Sequence, residues 1–111
     1  MNNDAEITHF VEVIARDQLT EKTVYCAKVG DVGLAICVAK GDVYAVENLC
    51  THAASTFDDG RVRGLFLVCP LHGVMFDLRN GEPKGSMAKQ PLRTFATRIN
   101  EQDMVEIALP T

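Results

Sequence analysis

Val32-Gly33-Leu34-Ala35-Ile36-Cys37-Val38-Ala39-Lys40 decides the fold. Val32, Leu34, Ile36 and Val38 fall on one face of an extended chain, and Gly33, Ala35, Cys37 and Ala39 fall on the other. A period of two predicts a strand, and two apolar faces predict a strand packed on both sides. Shorter runs of the same kind lie at Thr8–Ile14, Thr23–Val29, Val43–Glu47, Leu65–Cys69, Val74–Leu78, Leu92–Ile99 and Met104–Leu109. Turn formers separate them: Val29-Gly30-Asp31, Lys40-Gly41-Asp42, Asp58-Asp59-Gly60, Arg79-Asn80-Gly81 and Asn100-Glu101-Gln102-Asp103. Gly41-Asp42 and Asn80-Gly81 carry hairpin chemistry. No helical period is sustained, and Arg16–Lys22 has room for one turn of helix. Short, closely spaced strands predict an all-β, antiparallel sandwich or small barrel.

The chain has 111 residues, 47% of them hydrophobic, which suits a single domain over 1–111 and leaves no room for a second catalytic one. Eleven Lys plus Arg against fifteen Asp plus Glu give a net charge of −4, without the clustered positive charge that nucleic acids or anionic membranes require. Asp4 and Glu6 stand where a secretory signal needs a basic start, and Val32–Ala39 is far too short to span a bilayer. A cytoplasmic protein is expected. In a reducing compartment Cys26, Cys37, Cys50 and Cys69 are ligands, nucleophiles or small hydrophobes rather than disulfides.

Three stretches break the alternation. Asn48–Asp59 carries Cys50, His52, Ser55 and Thr56; Cys69-Pro70-Leu71-His72-Gly73 joins two strand runs; Gly81–Pro91 holds Pro83, Gly85 and Pro91. Irregular loops on a strand scaffold are where function concentrates. Cys50-Thr51-His52 and Cys69-Pro70-Leu71-His72 form C-x-H, sixteen residues, then C-x-x-H, and they use two of the three histidines in the chain. Together the two loops offer two sulfur and two nitrogen donors. A structural zinc site takes the same set, but it usually pairs Cys with Cys and His with His. Mixed pairs suit a binuclear cluster, each loop giving one ligand to each iron.

Cys50-Thr51-His52, Cys69-Pro70-Leu71-His72-Gly73 and Phe76-Asp77-Leu78-Arg79-Asn80-Gly81 resemble the Rieske 2Fe–2S family. More narrowly, the chain is similar to the small ferredoxins of bacterial multicomponent aromatic-ring-hydroxylating dioxygenases. The likeness covers nearly the whole chain, including Tyr44–Asn48 before the first motif and the Pro-containing third loop. Ala53 and Ala54 follow His52 where many members have a glycine. The resemblance implies a Rieske-like antiparallel β-sandwich with a loop-built cluster-binding subdomain at one end. It implies one Rieske-type 2Fe–2S cluster, with Cys50 and Cys69 on the buried iron and His52 and His72 on the outer one.

With ferric irons, two sulfides, two thiolates and neutral imidazoles, the formal charge of such a centre cancels, so an electron enters more easily than at an all-cysteine site. The respiratory branch of the family ties its two loops with a disulfide at positions matching Ser55 and Leu71, which this chain cannot make. That branch also places hydroxyls at positions matching Val74 and Phe76, both apolar here, so a low potential is expected.

Cys26 and Cys37, inside strand runs, are expected as small buried hydrophobes. His9 is expected as an ordinary surface or satisfied residue, Asp58 and Asp59 in a turn, and Met75 and Met87 as core or as shields of the cluster. With His52 and His72 committed, only His9 remains, so a mononuclear facial-triad iron cannot be built. Nor does a glycine-rich fingerprint mark a flavin or nucleotide site.

The expected function is therefore electron transfer rather than catalysis. A monomer would receive one electron from an NAD(P)H-dependent flavoprotein ferredoxin reductase and pass it to a terminal oxygenase in transient complexes. A small contact, below about 1,200 Å² in total, is expected, formed by Ala53, Pro70, Leu71 and Gly85–Pro91. The alternatives are a Rieske small subunit of another reductase complex, and a structural zinc-binding interaction domain.

Overall fold

The computed structural model describes residues 8–51 and 55–110. Its strands are β1 (Thr8–Ala15), β2 (Val24–Val29), β3 (Val32–Ala39), β4 (Asp42–Glu47), β5 (Arg61–Arg63), β6 (Phe66–Val68), β7 (Met75–Asp77), β8 (Pro83–Lys84), β9 (Thr94–Phe95), β10 (Thr97–Ile99) and β11 (Met104–Pro110). They form three antiparallel sheets, ordered β1-β11-β10, β2-β3-β4-β9 and β5-β6-β7-β8. The stretch 16–22 holds one short 3-10 turn, Arg16–Gln18.

Strand β3 explains the layering. Leu34, Ile36 and Val38 pack with Ile14, Val105, Ile107 and Leu109 of the first sheet. Ala35, Cys37 and Ala39 face the opposite way, into a core shared with Cys50, Phe57, Leu67, Cys69 and Phe76. The period-two pattern thus places the second sheet between two cores. The first sheet completes the sandwich on one side, and the loop-bearing third sheet covers the other. Ala35 and Ala39 are small, which lets the larger Phe57 and Phe76 rings fit on that side. These rings are fully buried and meet edge to face at 6.0 Å.

The turns differ in detail from expectation. Ala39 pairs with Asp42, so the β3–β4 turn is Lys40-Gly41, with φ of 53° and 86°, and Asp42 is already in the strand. The two left-handed residues follow the right-handed twist of the flanking strands. Asn80-Gly81 does belong to a hairpin, but a four-residue one, closed by Asp77 N–H donating to the Glu82 carbonyl at 2.8 Å. The run Leu92–Ile99 divides at Ala96: Thr94–Phe95 pairs with β4, while Thr97–Ile99 crosses to pair with β11. Strands β5 and β8, outside the alternating runs, are too short to show a period. Cys26 is a correction. It is half-buried, beside Asn48, Thr56 and Asp58 in an open groove, whereas Cys37 is buried as expected.

Candidate metal centre

Three loops gather at the free end of the third sheet, each closed at its base by one backbone hydrogen bond. Cys50 N–H donates to the Ser55 carbonyl at 2.6 Å, and Cys69 N–H donates to the Val74 carbonyl at 2.8 Å. Each cysteine therefore opens a loop that returns to it five residues later, although the histidine comes two residues after Cys50 and three after Cys69. The third loop is closed by Leu92 N–H donating to the Gly81 carbonyl at 2.8 Å. The first loop is fixed to the scaffold by Asn48. Its N–H reaches the Gly33 carbonyl at 2.9 Å, and its Oδ1 accepts the Phe57 N–H at 2.7 Å.

Cys50 is 0% and Cys69 1% exposed, and neither is in a disulfide. Their thiols face each other at hydrogen-bonding range, and burial, reinforced by Cys50 itself, pushes the Cys69 thiol upward. Removing the Cys69 thiol from water favours its neutral form, so a metal is needed to hold it as a thiolate. His72 lies at the other extreme of its loop. It is exposed, with φ at 63°, followed by Gly73 at 68°. A left-handed backbone costs a non-glycine residue roughly 1–2 kcal/mol. Here it falls at His72-Gly73, where the loop turns back toward Val74 and the bond that closes it on Cys69. His52 lies outside the described residues, as do Ala53 and Ala54.

The structure thus brings Cys50 and Cys69 together and leaves His72 exposed on the same loop as Cys69. This donor chemistry, soft thiols inside and an imidazole at the surface, fits an iron–sulfur centre with histidine on its outer side. Val74, Phe76, Leu78, Ala88 and Leu92 are buried around the two cysteines and keep water from that side. Of the remaining expectations, His9, Asp58 and Asp59 are exposed, the last two in a turn closed by Gly60 N–H on the Phe57 carbonyl at 2.8 Å. Met75 is half-buried, and Met87 is exposed on the third loop. The neck of that loop, Gly81 with Leu92, was not legible in the sequence, because Asn80-Gly81 has the chemistry of an ordinary turn.

A strand scaffold presenting paired Cys/His loops defines a Rieske centre, and the Rieske [2Fe-2S] domain family model matches residues 9–96. The chain belongs to that family and carries one Rieske-type 2Fe–2S cluster. Among its relatives is the ferredoxin component of a naphthalene 1,2-dioxygenase system from Pseudomonas putida, 30% identical over 89% of this chain and 96% of the relative. The ferredoxin of carbazole 1,9a-dioxygenase from Nocardioides aromaticivorans superposes with a TM-score of 0.81 at 28% identity, covering 92% of this chain and 98% of its own. A second neighbour, from a complex of reduced oxygenase and oxidized ferredoxin in carbazole 1,9a-dioxygenase, has a TM-score of 0.81 at 29% identity over 89% of this chain and 92% of its own. These relatives are electron-transfer parts of dioxygenase systems rather than the catalytic components. Among the described residues no helix is long and apolar enough to cross a membrane.

Proposed function

We propose that this protein is a one-electron carrier between an NAD(P)H-dependent flavoprotein ferredoxin reductase and a terminal ring-hydroxylating oxygenase. The observation that carries this is the burial of Cys50 and Cys69 together in the core, with His72 exposed on the second loop. Cys50 and Cys69 would hold one iron as thiolates, and His52 and His72 would hold the other. The cluster supplies a site that accepts and returns one electron. The protein contributes thiolate charge to offset the irons, a dry apolar floor, and an exposed imidazole edge through which partners exchange electrons. The decisive experiment is electron paramagnetic resonance of the reduced protein together with metal and sulfide analysis. Two irons, two acid-labile sulfides and a Rieske-type signal are expected. A colourless protein holding one zinc and no labile sulfide would overturn the assignment.

The exposed apolar residues at this end support docking here. Leu71 is 43%, Leu49 41% and Met87 54% exposed, with Pro70 and Pro91 also at the surface. Surface leucine and methionine side chains favour a contact that forms without a large desolvation cost and releases quickly. Leu71→Glu is expected to slow electron exchange with both partners while the visible spectrum stays unchanged. Stopped-flow rates equal to wild type with each partner would remove Leu71 from the contact.

A further inference from the structure

Thr51 stands between Cys50 and His52, yet its hydroxyl is directed away from its own loop. Its Oγ1 donates to the Gln90 carbonyl at 2.7 Å, across a separation of 39 residues. Gln90 belongs to the third loop. That loop is held at its neck by Gly81 and Leu92, and it places Ala88 and Leu92 in the same core as Cys50 and Cys69. The stretch 82–91 is otherwise mostly exposed. Its tip is thus held on one side by buried Ala88 and on the other by the Thr51 hydroxyl.

We propose that Thr51 is a positioning residue that latches the third loop onto the first and so keeps solvent from the centre on that side. The inference rests on the cluster reading given above. A hydroxyl has a single proton to donate, and here the Gln90 carbonyl takes it. Thr51 therefore offers no donor to the centre itself and acts through the loop. Its effect should appear as an opening rate, not as a lost hydrogen bond to sulfur.

Thr51→Val keeps the shape and the β-branch and removes only the donor; Thr51→Ser restores the donor. In the holoprotein, loss of visible absorbance in the presence of a chelator should be about five- to tenfold faster for Thr51→Val, the factor expected from losing one hydrogen bond. Thr51→Ser should stay within about twofold of wild type, the range left after the hydrogen bond is restored. A second readout does not depend on the cluster: amide hydrogen exchange in a peptide covering 82–92 should accelerate in Thr51→Val and recover in Thr51→Ser. Equal exchange and equal bleaching in wild type and Thr51→Val overturn the latch, as does a serine variant that behaves like valine. A wild-type protein without labile sulfide removes the cluster reading instead, and the exchange measurement still decides whether the latch exists.

Discussion

Gly81→Ala is expected to lower the melting temperature of the holoprotein by roughly 10–25 °C, equivalent to about 3 kcal/mol or more in a domain of this size. A Cβ on Gly81 would sit 2.1 Å from the Leu92 carbonyl oxygen and 3.0 Å from the Leu92 carbonyl carbon. These are backbone atoms, so no side chain can rotate aside. The residue also has φ of 79°, where alanine is strained even in open space. The clash falls at the bond that closes the third loop, Leu92 N–H to the Gly81 carbonyl, and next to Gly81 N–H on the Asp77 carbonyl at 2.6 Å. Relieving it must displace Leu92 from the core that holds both cysteines. Cluster occupancy should therefore fall together with stability.

Gly85→Ala separates the two contributions. Gly85 lies on the same loop with φ of 88°, but a Cβ there would meet nothing within 4 Å. Backbone strain alone should cost about 1–2 kcal/mol there. Thermal melts followed at the visible band compare the two variants. If Gly81→Ala melts no lower than Gly85→Ala, the neck is not a constraint.

The parts of this molecule that were legible in the sequence are those governed by a local period or a local donor set. Strand β3 announced both of its cores because each face carries four apolar residues in register. The mixed Cys/His pairs announced the centre because soft sulfur and imidazole recur together at short spacing. The fold buries Cys50 and Cys69 and leaves His72 exposed.

What escaped depends on contacts distant in sequence. Three-residue strands such as β5 take their conformation from pairing with β6, since Arg61-Val62-Arg63 alone has too few residues to show alternation. Ala96 gives no sign that the chain changes sheets there. The break is set by where β4 and β11 need edge partners, with Ala108 N–H reaching the Ala96 carbonyl at 2.9 Å. Thr51 reads as an ordinary loop residue until the fold brings Gln90 to it. Cys26 lies in an apolar alternation, yet β2 is an edge strand, so its burial is incomplete and Asp58 can approach it.

The reduction potential is the property on which the sequence makes its strongest demand. The wild-type protein is expected near roughly −150 mV, at the low end of the range for such centres, rather than near about +300 mV. Reduction adds negative charge in a site shielded from water, so hydrogen-bond donors aimed at the sulfurs favour the reduced form. Backbone N–H groups of the loops are available whatever the side chains are. Val74 and Phe76 add none. Both are buried in the core that contains Cys50 and Cys69, and the Val74 carbonyl already closes the second loop on Cys69 N–H. Val74→Ser and Phe76→Tyr should each raise the potential by tens of millivolts if the hydroxyl reaches sulfur, because 59 mV for one electron corresponds to about 1.4 kcal/mol, the size of a charge-assisted hydrogen bond. The two sites differ in what they risk. Serine at 74 is smaller than valine and fits without displacing a neighbour. A tyrosine hydroxyl at 76 enters a packed apolar core beside the Phe57 ring, and left without a partner it should cost about 1–3 kcal/mol of stability. Protein-film voltammetry on the wild type and both variants, paired with thermal melts, separates tuning from damage at 76: a tyrosine hydroxyl bonded to sulfur raises the potential and leaves the melt near wild type, whereas an orphaned one lowers the melt and leaves the potential unchanged. For serine at 74, whose lost buried methyl groups lower the melt in either case, the potential alone decides. A wild-type value near +300 mV would show that backbone donors and solvent exposure, rather than these two side chains, set the potential.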